Sequence, residues 1–238
     1  MSNLIYIMGK SSTGKDTIYQ RLKYKIDTNE YVPYTTRPKR DGEQEGREYN
    51  FLNREQFEEL QKQEKVMEYR NYNVINANGE KDIWTYATIA DKQWEKQGDF
   101  LSIGTLESYT TIVKYLEEHP EKNLNIVPVY ITIDENERER RARKREQMQV
   151  KPNYEEMERR LKADNIDFSQ EKLKEAGIGE KQTFENYNLD KCVEDIIKYI
   201  QKERLQNMTF QEKYKVNGLP QIEMKQIKTS KKIDGREI

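Results

Sequence analysis

The sequence predicts an α/β fold in which a mostly parallel sheet is covered by helices on both faces. Short apolar segments of strand composition alternate with helical patterns along most of the 238-residue chain. A glycine-containing loop joins the first of these strands to the first helix. The stretch 32–88 departs from the alternation, because it is rich in turns and in strand-like pieces. We therefore expect a parallel core interrupted by an inserted lobe.

The composition narrows the class of protein. The 42 Lys and Arg residues nearly balance the 43 Asp and Glu residues, so no global field predicts nucleic acid or membrane as a partner. Cys192 is the only cysteine, which excludes an internal disulfide framework and favours a reducing compartment. His119 is the only histidine, and we expect it to be solvated at a helix end. The first apolar run is too short for a signal peptide, so we expect a cytoplasmic protein.

The elements follow from local patterns. A buried strand is predicted at 4–8, and a helix follows the glycine-containing loop. A helix is expected at 53–65, followed by strands within 66–88 joined by a turn at Asn78-Gly79. The remaining predictions are a strand at 99–105, a helix after it, a buried strand at 124–133, two charged helices meeting near Pro152, a short strand at 182–186 and an amphipathic closing helix.

The loop after the first strand has the composition of a phosphate-binding loop. Gly9, Gly14 and Lys15 match the pattern G-x-x-x-x-G-K, and the strand–loop–helix order is the context that this motif needs. Backbone N–H groups of such a loop and the positive end of the next helix bind phosphate. The usual Ser or Thr after the lysine is replaced by Asp16, whose carboxylate is also a hard oxygen ligand for Mg²⁺. Thr17 offers a second polar contact. The predicted ATP-binding residues of the loop are Gly9, Ser11, Ser12, Thr13, Gly14, Lys15, Asp16 and Thr17.

A second set of residues predicts a site for a phosphorylated acceptor. Arg37 and Arg40 lie three residues apart in a proline-containing turn, a spacing with which two guanidinium groups clamp one phosphate. Tyr49 adds a hydroxyl donor. Glu68 follows on a predicted strand, and its carboxylate can accept hydrogen bonds from the N1–H and the amino group of guanine.

At these residues the sequence resembles guanylate kinase, the enzyme that phosphorylates GMP with ATP. The family pattern T-T-R-x-x-R-x-G-E-x-x-G-x-x-Y-x-F is met by Thr35, Thr36, Arg37, Arg40, Gly42, Glu43, Gly46, Tyr49 and Phe51. The resemblance implies a three-layer P-loop kinase core with a parallel sheet, an inserted mixed-β GMP-binding lobe at about 33–88 and a helical lid at about 136–168. It implies a guanylate-kinase-like domain over 1–204, Mg²⁺ as cofactor, ATP and GMP (or dGMP) as substrates, and a role in purine nucleotide metabolism.

The resemblance also assigns roles to individual residues. It implies catalysis by Lys15, Arg37 and two lid arginines, Arg145 and Arg160. Because register is ambiguous in an arginine-rich helix, Arg141, Arg143 and Arg159 stay open as substitutes. It places Asn186 near adenine and adds Tyr86 to the GMP-binding residues Arg37, Arg40, Tyr49 and Glu68.

The sequence departs from the family in three places besides Asp16. Pro33 stands where family members have a serine that contacts phosphate. The family's Y-Y-G-[ST] becomes "IWTYAT", in which Tyr86 fits either of two positions and Trp84 can replace an aromatic residue. The strand that usually ends L-D-[IV]-D reads "LSIGTLE", so we expect Glu107, the nearest acid, to take a guanine or metal role.

Two rival functions stay open from the sequence. The chain is either a kinase of another phosphorylated acceptor or a non-catalytic module that binds a protein partner. Gly9, Gly14 and Lys15 argue against the module, because such modules have typically lost the loop. Residues 205–238 are expected to form a C-terminal extension, and the protein to be a monomer or homodimer.

Overall fold

The structure is a computed structural model that describes residues 2–40, 42–75 and 79–207. The described residues up to Ile200 form one compact unit, and positions 208–238 of the expected C-terminal extension lie outside the described residues. The strands are β1 (Ser2–Met8), β2 (Asn29–Glu30), β3 (Tyr34–Thr35), β4 (Asn50–Phe51), β5 (Val66–Ile75), β6 (Lys81–Ile89), β7 (Phe100–Gly104), β8 (Leu124–Thr132) and β9 (Thr183–Glu185). The helices are α1 (Lys15–Lys25), α2 (Arg54–Lys62), α3 (Leu106–Glu118), α4 (Glu135–Gln147), α5 (Tyr154–Asp167), α6 (Gln170–Glu175) and α7 (Leu189–Asn207).

The first sheet is parallel and has the strand order β2-β7-β1-β8-β9. Its central strand β1 is buried on both faces, since successive side chains point to opposite sides. Leu4, Tyr6 and Met8 pack in one core cluster with residues of α3. Ile5 and Ile7 pack in a second cluster with residues of α1 and α7. The predicted α/β fold with a helical layer on each face is therefore confirmed.

The carboxyl ends of these parallel strands bring three connections to one edge of the sheet. The loop that starts at Gly9 follows β1, the segment at Thr105 follows β7, and Asn186 follows β9. Thr105 begins α3 by accepting a hydrogen bond from the backbone N–H of Ser108. This edge is the expected position of a nucleotide site in such a sheet.

The inserted lobe is a second, mixed sheet with the order β4-β3-β6-β5. The long antiparallel pair β5–β6 forms most of it, and α2 covers it by packing Phe57 against Ala87 and Ile89. Helix α2 begins at a capping box made by Asn53 and Gln56. The predicted Asn78-Gly79 turn includes Asn78, which lies outside the described residues.

Two short elements were missed by the sequence patterns. β2 contributes Asn29 and Glu30 to the edge of the parallel sheet, and α6 follows α5 after a cap at Ser169. Both are too short to show a hydrophobic period. His119 ends α3, as predicted, and its Nδ1 lies 2.8 Å from the carbonyl oxygen of Tyr115. Among the described residues, every helix is too short or too polar to cross a membrane.

Candidate active site

The loop between β1 and α1 requires glycine at two positions. Gly9 has φ +157°, and a Cβ there would clash with the carbonyl oxygen of Ile131 at the end of β8. Gly14 has φ +91° and caps α1 in a left-handed conformation that L-residues rarely adopt. Ser12 also has a positive φ, of 66°, and its Oγ is buried without a hydrogen-bond partner in the described part of the chain. These backbone angles give the loop its curvature.

The side chain of Asn186 supports the loop through a hydrogen bond to its backbone. Its side-chain amide donates to the carbonyl oxygen of Thr13 at 2.8 Å, and its backbone N–H donates to Thr132 at the end of β8. Asn186 is buried, and a Cβ on Gly14 would collide with its amide nitrogen. The predicted contact of Asn186 with adenine stays a prediction, while the structure gives this residue a direct role in supporting the loop.

The residues that begin α1 lie at the open side of the loop. Lys15 is partly exposed, and Asp16 and Thr17 are exposed in the first helical turn. The backbone N–H groups of this turn have no partner within the helix and are available to an anion. Lys15, Asp16 and Thr17 are therefore placed where the sequence predicts phosphate contacts, and those contacts stay predictions.

The Asp16 carboxylate is the candidate protein ligand for Mg²⁺. The described residues contain no group of three or more His, Cys, Asp or Glu side chains that could form a metal cage. Mg²⁺ in phosphoryl-transfer sites usually keeps several waters and takes only one or two carboxylates beside the substrate phosphates. An exposed carboxylate next to Lys15 fits this mode of binding.

Helix α5 contacts the first half of the loop. Asp164 accepts a hydrogen bond from the backbone N–H of Ser11 at 2.8 Å and pairs with buried Arg138 at 3.3 Å. Lys10 bonds to Asn165 at 2.8 Å and to Glu135 of α4 at 2.6 Å. These contacts connect the two helices of the predicted lid to the loop.

The predicted lid arginines differ in their surroundings. Arg145 is exposed in the last turn of α4. Arg160 lies 3.9 Å from Glu146 and 3.7 Å from Glu156, and its buried Nε has no hydrogen-bond partner among the described residues. Neither contacts the phosphate loop in this structure, so their catalytic role stays a prediction that depends on lid movement.

Arg141 is the sequence substitute that reaches the loop. Its guanidinium donates to the backbone carbonyl of Asn186 at 3.0 Å and to Glu137 at 2.8 Å. Arg140 and Arg141 together lower the pKa of Glu137 to about 2. The other substitutes, Arg143 and Arg159, form exposed pairs with Glu139 and Glu156.

Arg37 is the centre of the predicted phosphate clamp. It is only 3% exposed, and its two terminal nitrogens form a bidentate pair with Glu43 at 2.7 and 2.5 Å. Hydrogen bonds from Arg37 lower the pKa of Glu43 to about 2, and the carboxylate in turn raises the pKa of Arg37. Arg37 Nε, on the edge of the guanidinium away from Glu43, is buried without a hydrogen-bond partner in the described residues. An acceptor oxygen of a bound phosphate would satisfy this donor.

Two tyrosines complete the clamp. Arg37 lies 5.0 Å from the ring centre of Tyr49, and the rings of Tyr49 and Tyr86 are 5.6 Å apart. Burial raises the pKa of Tyr49, so its hydroxyl stays protonated and can donate. Arg40 is exposed, and its backbone N–H donates to Glu43 at 2.8 Å. The structure therefore brings Arg37, Tyr49 and Tyr86 together and leaves the Arg40 side chain at the rim.

Glu68 lies farther along the same sheet and is buried, with 6% of its surface exposed. Thr88 lies opposite it on β6 and donates to its carboxylate at 3.0 Å. Thr88 was missed by sequence reasoning, although it is the hydroxyl residue two positions after Tyr86 in "YAT". The strand register supplies the missing signal, since it pairs Tyr86 with Arg70 and Thr88 with Glu68.

Glu107 lines a cavity of about 620 Å³ beside this face. The lining includes Arg70 and Tyr72 of β5 and Thr110 of α3. Glu107 is exposed in the first turn of α3. The structure thus brings Glu107 to the same cavity as Arg70 and Tyr72, and its contact with guanine or metal stays a prediction.

Comparison with known proteins shows to which family the chain belongs. The family model described as guanylate kinase matches residues 1–203. The chain belongs to the guanylate kinase family. The resemblance recognised in the sequence is therefore confirmed.

Curated guanylate kinases match over a shorter stretch. The guanylate kinase of Streptococcus thermophilus (strain CNRZ 1066) is 44% identical over 71 residues, which cover 29% of this chain and 34% of that protein. The Streptococcus mutans protein is 46% identical over 71 residues, with the same coverage. The aligned region thus spans about a third of the length of these curated relatives.

A solved structure supports the fold over most of the chain. The crystal structure of guanylate kinase from Anaplasma phagocytophilum matches with a TM-score of 0.51 and 18% sequence identity, covering 89% of each chain. At this identity the likeness bears on the fold alone. This low identity agrees with the departures from the family pattern noted in the sequence. At one of them, Pro33, the backbone carbonyl oxygen accepts a hydrogen bond from the backbone N–H of Asn50.

Proposed function

We propose that the protein transfers the γ-phosphoryl group of ATP to GMP or dGMP, giving ADP and GDP or dGDP. The observation that carries this proposal is the arrangement of the second sheet. Tyr86 of the phosphate clamp and Thr88, the partner of Glu68, are separated by one residue on β6. One face of the sheet can therefore hold the phosphate and the base of a single mononucleotide.

The acceptor phosphate would bind to the Nε edge of Arg37 and to the hydroxyl of Tyr49. Glu43 fixes the guanidinium in one orientation, which reduces the entropy lost when phosphate binds. The buried carboxylate of Glu68 would accept from the N1–H and amino group of guanine. Thr88 occupies one side of this carboxylate and sets its orientation.

The donor phosphates would lie in the loop that begins at Gly9. Lys15 and the N–H groups at the start of α1 neutralise the charge of the transferred group. No general base is required, because the acceptor phosphate is already an anion near neutral pH. An oxygen of the acceptor phosphate forms the new P–O bond while the bond to the ADP oxygen breaks. Catalysis comes from positioning and charge neutralisation.

Mg²⁺, when bound beside Asp16, would supply further charge neutralisation between the donor phosphates. Closure of α4 and α5 would bring Arg145 and Arg160 toward these phosphates and exclude water, which limits hydrolysis of ATP. Arg141 already lies beside the loop and needs less movement.

The proposal is tested by coupled ADP release from Mg²⁺·ATP with GMP, dGMP, AMP, UMP and CMP in parallel. Turnover with GMP and dGMP alone is the expected result. Turnover with a different acceptor would move the assignment to another kinase. Absence of turnover and of ATP binding, the latter followed as a Mg²⁺-dependent thermal shift, would favour a non-catalytic interaction module.

The proposed reaction also suggests where the protein acts and with which partners. We expect the protein to act in the cytoplasm on small molecules, as a monomer or homodimer, without a nucleic-acid or membrane partner. The balance of charges in the sequence supports the last point.

A further inference from the structure

Arg70 lies in the middle of the proposed acceptor face. Side chains alternate along β5, so Arg70 shares a face with Glu68 on one side and Tyr72 on the other. The register places Arg70 directly opposite Tyr86 of β6. Arg70 and Tyr72 also line the 620 Å³ cavity that contains Glu107. This arginine was not among the site residues indicated by the sequence.

The polar atoms of Arg70 are incompletely satisfied. Its Nε is buried and has no hydrogen-bond partner within the described residues. The nearest carboxylate oxygen of Glu68 is 3.7 Å away, which is beyond hydrogen-bond distance. The other oxygen of Glu68 accepts from Thr88. A buried donor without a partner is costly, so an acceptor atom supplied by a ligand would remove that cost.

The position beside Glu68 indicates which acceptor atom this is. Guanine presents the N1–H donor next to the O6 acceptor, and N7 is a second acceptor on the same side as O6. If Glu68 accepts from N1–H, the neighbouring donor Arg70 faces O6. Arginine donating to O6 and N7 is the commonest specific contact to guanine in protein–DNA complexes. Adenine presents an amino group at position 6 and would place two donors against each other.

We infer that Arg70 is a specificity-determining residue that donates hydrogen bonds to O6 and N7 of the acceptor guanine. This inference rests on the proposed function, because it assumes a guanine nucleotide on this face of the sheet. It assigns the base a two-sided reading, with Glu68 accepting from the donors of guanine and Arg70 donating to its acceptors. The simplest alternative is that Arg70 only balances the charge of Glu68.

The test compares Arg70→Met, Arg70→Lys and the control Arg54→Met, whose side chain is 69% exposed at the start of α2. Steady-state kinetics would use GMP, IMP, 6-thio-GMP and AMP. Arg70→Met is expected to lower kcat/KM for GMP about 10–100-fold, mainly through KM. IMP keeps O6 and N7, so its loss should equal that of GMP. The loss should be smaller for 6-thio-GMP, which keeps N7 but has a sulfur, a poor acceptor, in place of O6, and AMP should gain relative to GMP.

Arg70→Lys separates base reading from charge balance. A lysine keeps the positive charge near Glu68 but loses the planar pair of donors, so it should recover only part of the activity with GMP. Full recovery by lysine, or an equal loss with all four acceptors, would overturn the inference. So would unchanged kinetics in Arg70→Met.

Failure of the proposed function has a different signature. In that case the unsubstituted protein neither turns over GMP nor binds it by calorimetry, and the inference falls with it. If the unsubstituted protein uses GMP and Arg70→Met behaves in the same way, the inference alone is refuted. Arg54→Met should match the unsubstituted protein in either case.

Discussion

The proposed donor loop, which begins at Gly9, and the proposed acceptor face of the second sheet obtain their shapes by different means. The loop obtains its shape from backbone angles at Gly9 and Gly14 and from the amide of Asn186 beneath it. The acceptor face obtains its shape from side chains that orient other side chains, with Glu43 holding Arg37 and Thr88 holding Glu68. The loop therefore depends on backbone conformation, and the acceptor face depends on paired polar groups.

This difference predicts which substitutions each region tolerates. We expect the loop to accept Asp16, because the proposed phosphate binding relies on backbone N–H groups and Lys15. The acceptor face relies on the pairs Arg37–Glu43 and Glu68–Thr88, so removing Glu43 or Thr88 would leave a buried polar group without that partner.

Lys15→Ala should have the largest effect on turnover. Removing the cation that neutralises the transferred group is expected to lower kcat by about 100-fold or more. The measurement is kcat with saturating ATP and GMP, with Lys25→Ala, an exposed lysine of the same helix, as the control. A folded Lys15→Ala protein with kcat near that of the control would refute the donor site.

Arg37→Ala should affect the acceptor more than the donor. Removing the clamp is expected to lower kcat/KM for GMP by about 10–100-fold, which corresponds to the loss of one charge-assisted bidentate contact. KM for ATP should change little. Arg47→Ala, an exposed arginine of the same segment, provides the control. An equal rise in both KM values would contradict the separation of the two regions.

Asn186→Ala should weaken the loop without removing any phosphate contact. The buried carbonyl of Thr13 would lose its partner, which costs about 1–3 kcal/mol of unfolding free energy. KM for ATP should rise and KM for GMP should stay constant. Asn188→Ala removes the cap at the start of α7 and should lower stability without changing KM for ATP.

The smallest effect concerns Glu43 and pH. Arg37 lowers the pKa of Glu43 from its ordinary value of 4.5 to about 2. The pair therefore contributes to stability fully above pH 4.5 and loses this contribution as pH falls toward 2. Urea midpoints of Glu43→Gln and the unsubstituted protein should differ by a constant amount above pH 5 and converge below pH 4.5. A difference that persisted at pH 2 would show that the ionised pair is not its source.

The sequence predicted the parts whose signals are local. The loop from Gly9 to Lys15 and the segment around Arg37 are short motifs, and the alternation of strands and helices gave the parallel core. Thr88 and Arg70 were not predicted, because their positions opposite Glu68 and Tyr86 depend on the register between β5 and β6. The support that Asn186 gives to Thr13 spans 173 positions in sequence, so only the folded sheet brings them together.

For the predicted lid, the sequence could not show which arginine lies near the phosphate loop. Alternating Glu and Arg residues predict exposed pairs on almost any register of α4 and α5, and Arg140, Arg143 and Arg159 indeed form such pairs. Nothing in the pattern distinguishes Arg141, whose guanidinium bonds to the backbone carbonyl of Asn186 and lies beside Gly14 of the loop.

The most direct test of the account follows the phosphoryl group itself. The protein would be incubated with GMP and ATP labelled at the γ-phosphorus, and the products separated. The account predicts label in the β-phosphate of GDP, dependent on both Lys15 and Arg37. Label recovered only as inorganic phosphate, or on an acceptor other than a guanine nucleotide, would contradict it.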